Sequence, residues 1–297
     1  MLKELLERGK TQVLWGSPPA RLLLDGTQPD AHAAFDALPF VELDSLAAHQ
    51  RFQQTAAAVL RKRRAIEHML NSGQEPFSLP GYNALIGQHV GFAVDYAYSS
   101  AVEGALRLPN WRERLACPVT GLINRLRGSL LAIDQLLGPR SIADVRIYAT
   151  EQVTSLFQWL RAKNPGTVGS EFLGDTVALG AERDGLRNED VTRLTFADGS
   201  FDLVITNDVL EHVPGYEKAY AELFRVLAPG GLLVFTVPFN LGAQEHLIRA
   251  RINSKGELEH LLPPEYHGDP VVQNGGVLCY QIFGWKMMDE LRAAGFE

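Results

Sequence analysis

From Asp144 onward, short and almost wholly apolar runs alternate with amphipathic helical stretches, and this restricts the fold more than anything else in the 297 residues. The segments "DVRIYAT", "GTVGSEF", "NEDVTRL", "FDLVITN" and "LLVFTVPF" read as strands. "SLFQWLRAK" reads as a helix with a capping box at Ser155 and Gln158, and "YEKAYAELFRVL" as a helix stopped by "APGG". Strands this apolar, separated by helices, belong to a parallel sheet buried on both faces. The fold class is therefore α/β, a doubly wound, Rossmann-like and mostly parallel sheet of about five strands. Ligands of such sheets bind beyond the carboxyl ends of the strands. Polar residues recur at those ends: Glu171 after the second run, Asp190 at the third, Asn207 and Asp208 at the fourth. A carboxylate after the second strand is placed for ribose hydroxyls, and an acid on the next strand for an adenine amino group. Any one of them could simply cap a turn. Their recurrence at successive strand ends points to an adenosine-containing cofactor.

Upstream the pattern differs. Residues 1–43 show no committed periodicity. From Asp44 to Gly73, Leu46, Phe52, Val59, Leu60, Ile66 and Met69 recur at helical spacing, which predicts one long amphipathic helix. Residues 76–122 read as short strands and turns. "NRLRGSLLAIDQLLG" is a helix ending at Gly138, with Arg125 and Arg127 expected at the surface. The expected organisation is a helical N-terminal region (1–75), a small β-rich module (76–122) and a Rossmann-like domain (123–297).

The stretch "DVTRLTFADGSFDLVITNDVLEHVPGYEKAYAELFRVLAPGGLLVFTVPF" closely resembles class I S-adenosylmethionine-dependent methyltransferases of type 11. The resemblance is carried by "D-x-x-x-L-x-F-x-D-x-S-F-D", "L-E-H-V" and "R-V-L-x-P-G-G", and is specific over residues 187–239. It implies S-adenosyl-L-methionine as cofactor. It further implies Glu171 on the ribose, Asp190 and the Val191 backbone on the adenine, and Asn207 and Asp208 beneath the methionine part. His212 matches a histidine near the methyl group. The family's Gly-rich turn after the first strand is absent, since no glycine lies between Arg146 and Phe157. Ala149-Thr150-Glu151 is instead similar to an "A-x-E" turn found in a subset of such proteins. That similarity implies that the Thr150 backbone and Glu151 bind the cofactor's amino acid end. Upstream, "GYNALIG" and "CPVTGLINRLR" resemble a degenerate zinc ribbon. Asn83, Ile86, Cys117 and Thr120 stand at its ligand positions, and only Cys117 is a ligand type. No metal is expected.

The loop "EHLLPPEYHGDP" follows the fifth strand on the ligand side and is stiffened by Pro263, Pro264 and Pro270. It reads as an acceptor-side lid, with Glu265, Tyr266 and Asp269 toward the substrate and His267 as general base, oriented by Asp269 or Glu265. His212 is the rival base, and a purely structural loop is the plain alternative.

The expected function is methylation of a small molecule. Two alternatives use the same fold: a non-methylating enzyme with the same cofactor pocket, and a pseudoenzyme serving as a binding or assembly module. The formal net charge is −7, which disfavours nucleic acid and anionic membranes as partners. A homodimer is possible. No signal peptide or membrane span is evident and the two cysteines make no disulfide framework, so a cytoplasmic location is expected. The antiparallel pair that closes the sheet in this family would begin at Glu297, so an exposed sheet edge needing a cover is expected.

Overall fold

The computed structural model describes residues 14–15, 40–71, 73–101, 107–268, 271 and 275–297. The chain divides into two compact units, one of them Val13–Leu43 with Ala47–Leu137, the other Gly138–Glu297 with Met1–Gln12 and Asp44–Leu46.

In the first unit, the long helix expected from Asp44 to Gly73 is two helices, α1 (Leu46–Thr55) and α2 (Ala57–Leu70). They are interrupted at Ala56, whose ψ of 8° leaves the helical range. The hydrogen bonds from Ala56 N to Phe52 O and from Leu60 N to Ala56 O still run through the break. A three-stranded antiparallel sheet follows: β1 (Phe77–Asn83), β2 (Gln88–Val94) and β3 (Leu115–Ala116). Two turns meet at its end. The Asn83 amide donates to Cys117 Sγ at 3.2 Å, so a neutral amide stands beside the one remaining ligand-type residue of the ribbon-like motif. Burial pushes the Cys117 thiol up, but hydrogen bonds from Thr120, the Val119 backbone and Asn83 together hold it below its usual range. Helix α3 (Asn124–Leu137) closes the unit at Gly138, whose φ of 62° ends it in the left-handed region. Arg127 is not at the surface. It is 5% exposed, it lies over the Phe92 ring, and it donates to the carbonyls of Leu115 (2.9 Å) and Leu122 (2.6 Å). Its planar fork reaches the carbonyl of Leu115 in β3 and that of Leu122, which also accepts from Cys117 N at 2.9 Å. Burial pulls its guanidinium down to about 10.

The second unit holds a parallel sheet of four strands: β4 (Ile147–Ala149), β5 (Val168–Gly169), β6 (Phe201–Asn207) and β7 (Leu227–Thr236). The spatial order is β7-β6-β4-β5. The fifth strand expected at "NEDVTRL" is reduced to a single parallel bridge between Glu171 and Asn188. Beyond Asn188 the side chains turn the chain away: Glu189 accepts from Arg187 (2.8 Å) and from Thr195 N (2.9 Å), and Asp190 accepts from Thr192 N (2.9 Å). The central strand β6 is buried on both faces. Leu203, Val204 and Ile205 are all enclosed, and Val204 joins Tyr148, Tyr220, Leu223, Phe283 and Met287 in one core.

Helix α4 (Ser155–Lys163) begins one residue earlier than the expected capping box. Thr154 is its N-cap, in an extended conformation, and its hydroxyl accepts from Phe157 N at 3.2 Å. Helix α5 (Glu217–Val226) buries Ala219, Tyr220, Leu223 and Val226, a single stripe at helical spacing. It passes directly into β7, which holds Gly230 and Gly231 in its first half. A Cβ on Gly231 would lie 2.8 Å from Ala228 O and 3.3 Å from Asp202 O, so only glycine lets β7 approach β6 there. The "EHLLPPEYHGDP" segment is more ordered than a loop. β8 (Ala250–Ile252) pairs with β9 (Leu258–His260), and β10 (Tyr266–His267) with β11 (Val277–Leu278). Helix α6 (Lys286–Ala293) ends the unit.

Candidate functional site

The carboxyl ends of the parallel strands are joined by a chain of side-chain hydrogen bonds. Glu151, two residues past β4, accepts from the Asn207 amide at 2.9 Å. It also accepts from the Thr154 hydroxyl that caps α4. Asn207 ends β6, and its Oδ1 lies 3.2 Å from Thr236 Oγ1 at the end of β7. The same hydroxyl is 3.1 Å from Asp208 Oδ1. Asp208 stands in the left-handed region (φ 52°), held there by the bond from its N–H to Thr236 O at 2.8 Å. A non-glycine residue in that conformation at a strand end is the kind of local strain found at binding sites.

Glu171, at the end of β5, turns its carboxylate onto the β4–α4 turn. Oε1 accepts from the backbone N–H groups of Gln152 (2.6 Å) and Val153 (3.2 Å). The glycine-free turn is thus organised by a carboxylate instead of by glycine. Thr150 N donates to Ile205 O (3.0 Å), while its buried hydroxyl has no hydrogen-bond partner. An orphaned buried hydroxyl at the end of the first strand fits a ligand group that would complete it. Asp190 sits on the neighbouring segment beside the buried Val191. Burial pushes its carboxyl up, but bonds from Thr192 and Arg193 hold it below the usual carboxylate range. The structure therefore brings Thr150, Glu151, Asn207 and Asp208 together. Glu171 is tied to the same turn, and Asp190 engages its own turn.

A second polar cluster follows directly on β6. Leu210, Glu211 and His212 form one turn of 3₁₀ helix. Gln281, which carried no motif signal, holds that turn through its amide on Leu210 O at 2.6 Å. Tyr280 N binds Glu211 O at 2.7 Å. The Glu211 side chain is 0% exposed, and neither carboxylate oxygen has a hydrogen-bond partner. Its Oε1 lies 3.8 Å from His212 Nε2 and 3.7 Å from His267 Nδ1. The two imidazoles meet edge to face, 5.0 Å between centroids. His212 Nδ1 is 2.8 Å from Leu278 O, and a carbonyl only accepts, so Nδ1 carries the proton. His267 Nε2 is 3.2 Å from Glu265 Oε1, and Glu265 also pairs with Arg249 at 3.1 Å. Cys279, Glu211 and Glu265 push the His267 imidazolium up to about 11, against the opposite effect of burial. By itself His267 thus holds its proton at neutral pH, unlike the free imidazole assumed for a general base. Tyr266 is 55% exposed, and Asp269 lies outside the described residues.

Residues 158–235 match the methyltransferase domain family. The match spans α4 to β7 and indicates S-adenosyl-L-methionine as the cofactor. The orphaned Thr150 hydroxyl and the carboxylates at the strand ends fit that group. The chain is 35% identical over 133 residues to demethylmenaquinone methyltransferase of Thermus thermophilus, covering 39% of this chain and 60% of that one. It is 28% identical over 154 residues to arsenite methyltransferase of Aquipseudomonas alcaligenes, covering 46% and 44%. The chain thus spans less than two thirds of either relative. Among solved structures, an S-adenosylmethionine-dependent methyltransferase from Mesorhizobium loti aligns over 58% of this chain and 83% of its own, with 19% identity and a TM-score of 0.37. Among the described residues, no helix is long and apolar enough to cross a membrane.

Proposed function

We propose that the chain is an S-adenosylmethionine-dependent methyltransferase acting on a small-molecule acceptor. The observation that carries this reading is the hydrogen-bonded row Glu151–Asn207–Thr236–Asp208 across three parallel strand ends, within and next to the segment matching the methyltransferase domain. The named relatives support it, since demethylmenaquinone and arsenite are both small acceptors.

The cofactor supplies a methyl group on a positively charged sulfur. Glu171 would accept from its ribose hydroxyls, and Asp190 with the Val191 N–H would meet the adenine. Thr150 and Glu151 would take the amino acid end, with Asn207 and Asp208 beneath the methionine chain. Glu265, Tyr266 and Asp269 would face the acceptor. The reaction asks for in-line placement and for a destination for the acceptor's proton. When bound, the cofactor would supply its methyl carbon to an electron pair of the acceptor and would leave as a neutral thioether. The cluster of Glu211, His212 and His267, four residues past Asn207 at its nearest, takes up the proton as a unit.

The test is turnover. Full-length protein is incubated with methyl-labelled S-adenosylmethionine and a panel of quinol, thiol, arsenite and amine acceptors. Label should pass to one acceptor class with one S-adenosylhomocysteine formed per methyl. Cofactor binding with no transfer to any class would favour a non-methylating enzyme, and absence of binding a pseudoenzyme.

A further inference from the structure

Glu211 is difficult to explain as a structural residue. An ionised carboxylate withdrawn from water must be paired or hydrogen-bonded, because its desolvation is otherwise uncompensated. Its two oxygens have no hydrogen-bond partner, and two imidazole nitrogens lie 3.8 and 3.7 Å from its Oε1. Both separations are too long for a hydrogen bond.

The tautomers explain what those nitrogens present. Leu278 O fixes the proton of His212 on Nδ1, which leaves the Nε2 lone pair facing Glu211. Glu265 accepts from His267 Nε2–H, and once an arriving ion displaces the proton on His267 Nδ1 to solvent, the lone pair there faces the same carboxylate. One ligand atom from each of Glu211, His212 and His267 then lies within 4.8 Å of the other two. Ligand atoms about 2.0–2.1 Å from a tetrahedral ion are separated by roughly 3.4 Å. The separations of 3.8 and 3.7 Å from Glu211 Oε1 to the two imidazole nitrogens exceed that by only a few tenths of an ångström. The backs of both rings carry the partners that metal-bound histidines have, a backbone carbonyl on one and a carboxylate on the other.

We propose that Glu211, His212 and His267 bind one divalent transition-metal ion, zinc being the best match to two imidazoles and a carboxylate, with Glu265 as the outer carboxylate that orients His267. Such a donor set disfavours magnesium and calcium, which prefer oxygen ligands throughout. Three protein ligands leave a fourth position open, as in metal sites that act on a substrate. Sequence spacing gives no hint of it, because His267 lies far down the chain from Glu211 and His212 and no motif joins them. Binding of the ion does not depend on the methyl-transfer reading; its role does. With a metal in place, the two histidines are ligands, and the ion lowers the acceptor's proton affinity by holding its oxygen, sulfur or nitrogen at the open position.

The test uses the full chain, stripped with chelator and dialysed, then titrated with zinc chloride by calorimetry and with cobalt chloride by visible absorption. One equivalent of either ion should bind, and cobalt should give the intense bands of a four-coordinate site that zinc then abolishes. Glu211→Gln and His212→Gln should each weaken zinc binding at least tenfold, and Glu265→Gln by about 10–100-fold. Thermal melting guards against misfolded variants. Zinc should raise the melting temperature of the wild type and leave that of Glu211→Gln unmoved. No zinc bound by the wild type, or equal affinity in Glu211→Gln, would overturn the proposal. In that case a protonated His267 pairs with Glu211, and the metal-free Glu211→Gln protein should melt lower than wild type. Titrating the same samples with S-adenosylmethionine separates the two claims, since either ligand can bind without the other.

Discussion

At the scale of single residues, Glu171 and Asn207 carry most of the cofactor reading. A carboxylate on two ribose hydroxyls makes charge-assisted hydrogen bonds worth about 1.5–3 kcal/mol each. Glu171→Ala should therefore weaken S-adenosylmethionine binding at least tenfold. Because Glu171 also holds the N–H groups of Gln152 and Val153, the variant's turn should become more open to proteolysis between Thr150 and Thr154, as limited digestion would reveal. Unchanged affinity and digestion would remove Glu171 from the site. Asn207→Ala should loosen Glu151 and Thr236 together, since it removes the amide between them. Double-mutant cycles with Glu151→Ala should then show coupling rather than additivity. These acids and amides were legible in the sequence because they end apolar strands. What joins them was not. Thr236 lies twenty-nine residues from Asn207, and Thr154 stands one residue ahead of the cap expected at Ser155. Gln281 is equally hidden, a single amide far from the turn it secures. The proton affinity of His267 depends on Cys279 and Glu211, which reach it only through folding.

At the scale of elements, β6 was read to the residue, "FDLVITN" being Phe201–Asn207, because its centre, Leu203 to Ile205, is apolar and buried on both faces. The third expected strand failed for a local reason: the Glu189 and Asp190 side chains compete with a ladder for the backbone just past Asn188. The long N-terminal helix was read with its outer bounds nearly right and its break at Ala56 missed, since nothing in an alanine run marks an interruption. The junction of α5 and β7 yields a stability prediction. Gly231→Ala places a methyl 2.8 Å from Ala228 O, an overpacking that should cost about 1–3 kcal/mol and lower the urea midpoint without changing the slope. In the first unit, Arg127→Met should cost about 1–3 kcal/mol, because the Leu115 and Leu122 carbonyls lose its guanidinium while Leu122 O keeps the bond from Cys117 N. Methionine retains the stem's packing on Phe92, so a loss near zero would mean water satisfies those carbonyls instead.

At the scale of the whole molecule, the formal charge of −7 sets the expected partners. Duplex DNA, RNA and anionic vesicles should leave the protein unbound at physiological salt, as mobility shift and flotation would show. The central claim is that the strand-end row, built without the usual glycines, binds S-adenosylmethionine. Calorimetric titration of the full chain with S-adenosylmethionine and S-adenosylhomocysteine tests it most directly. One site per chain should be seen for both ligands, at least tenfold weaker in Glu171→Ala. A folded wild-type protein that takes up neither ligand would contradict the account.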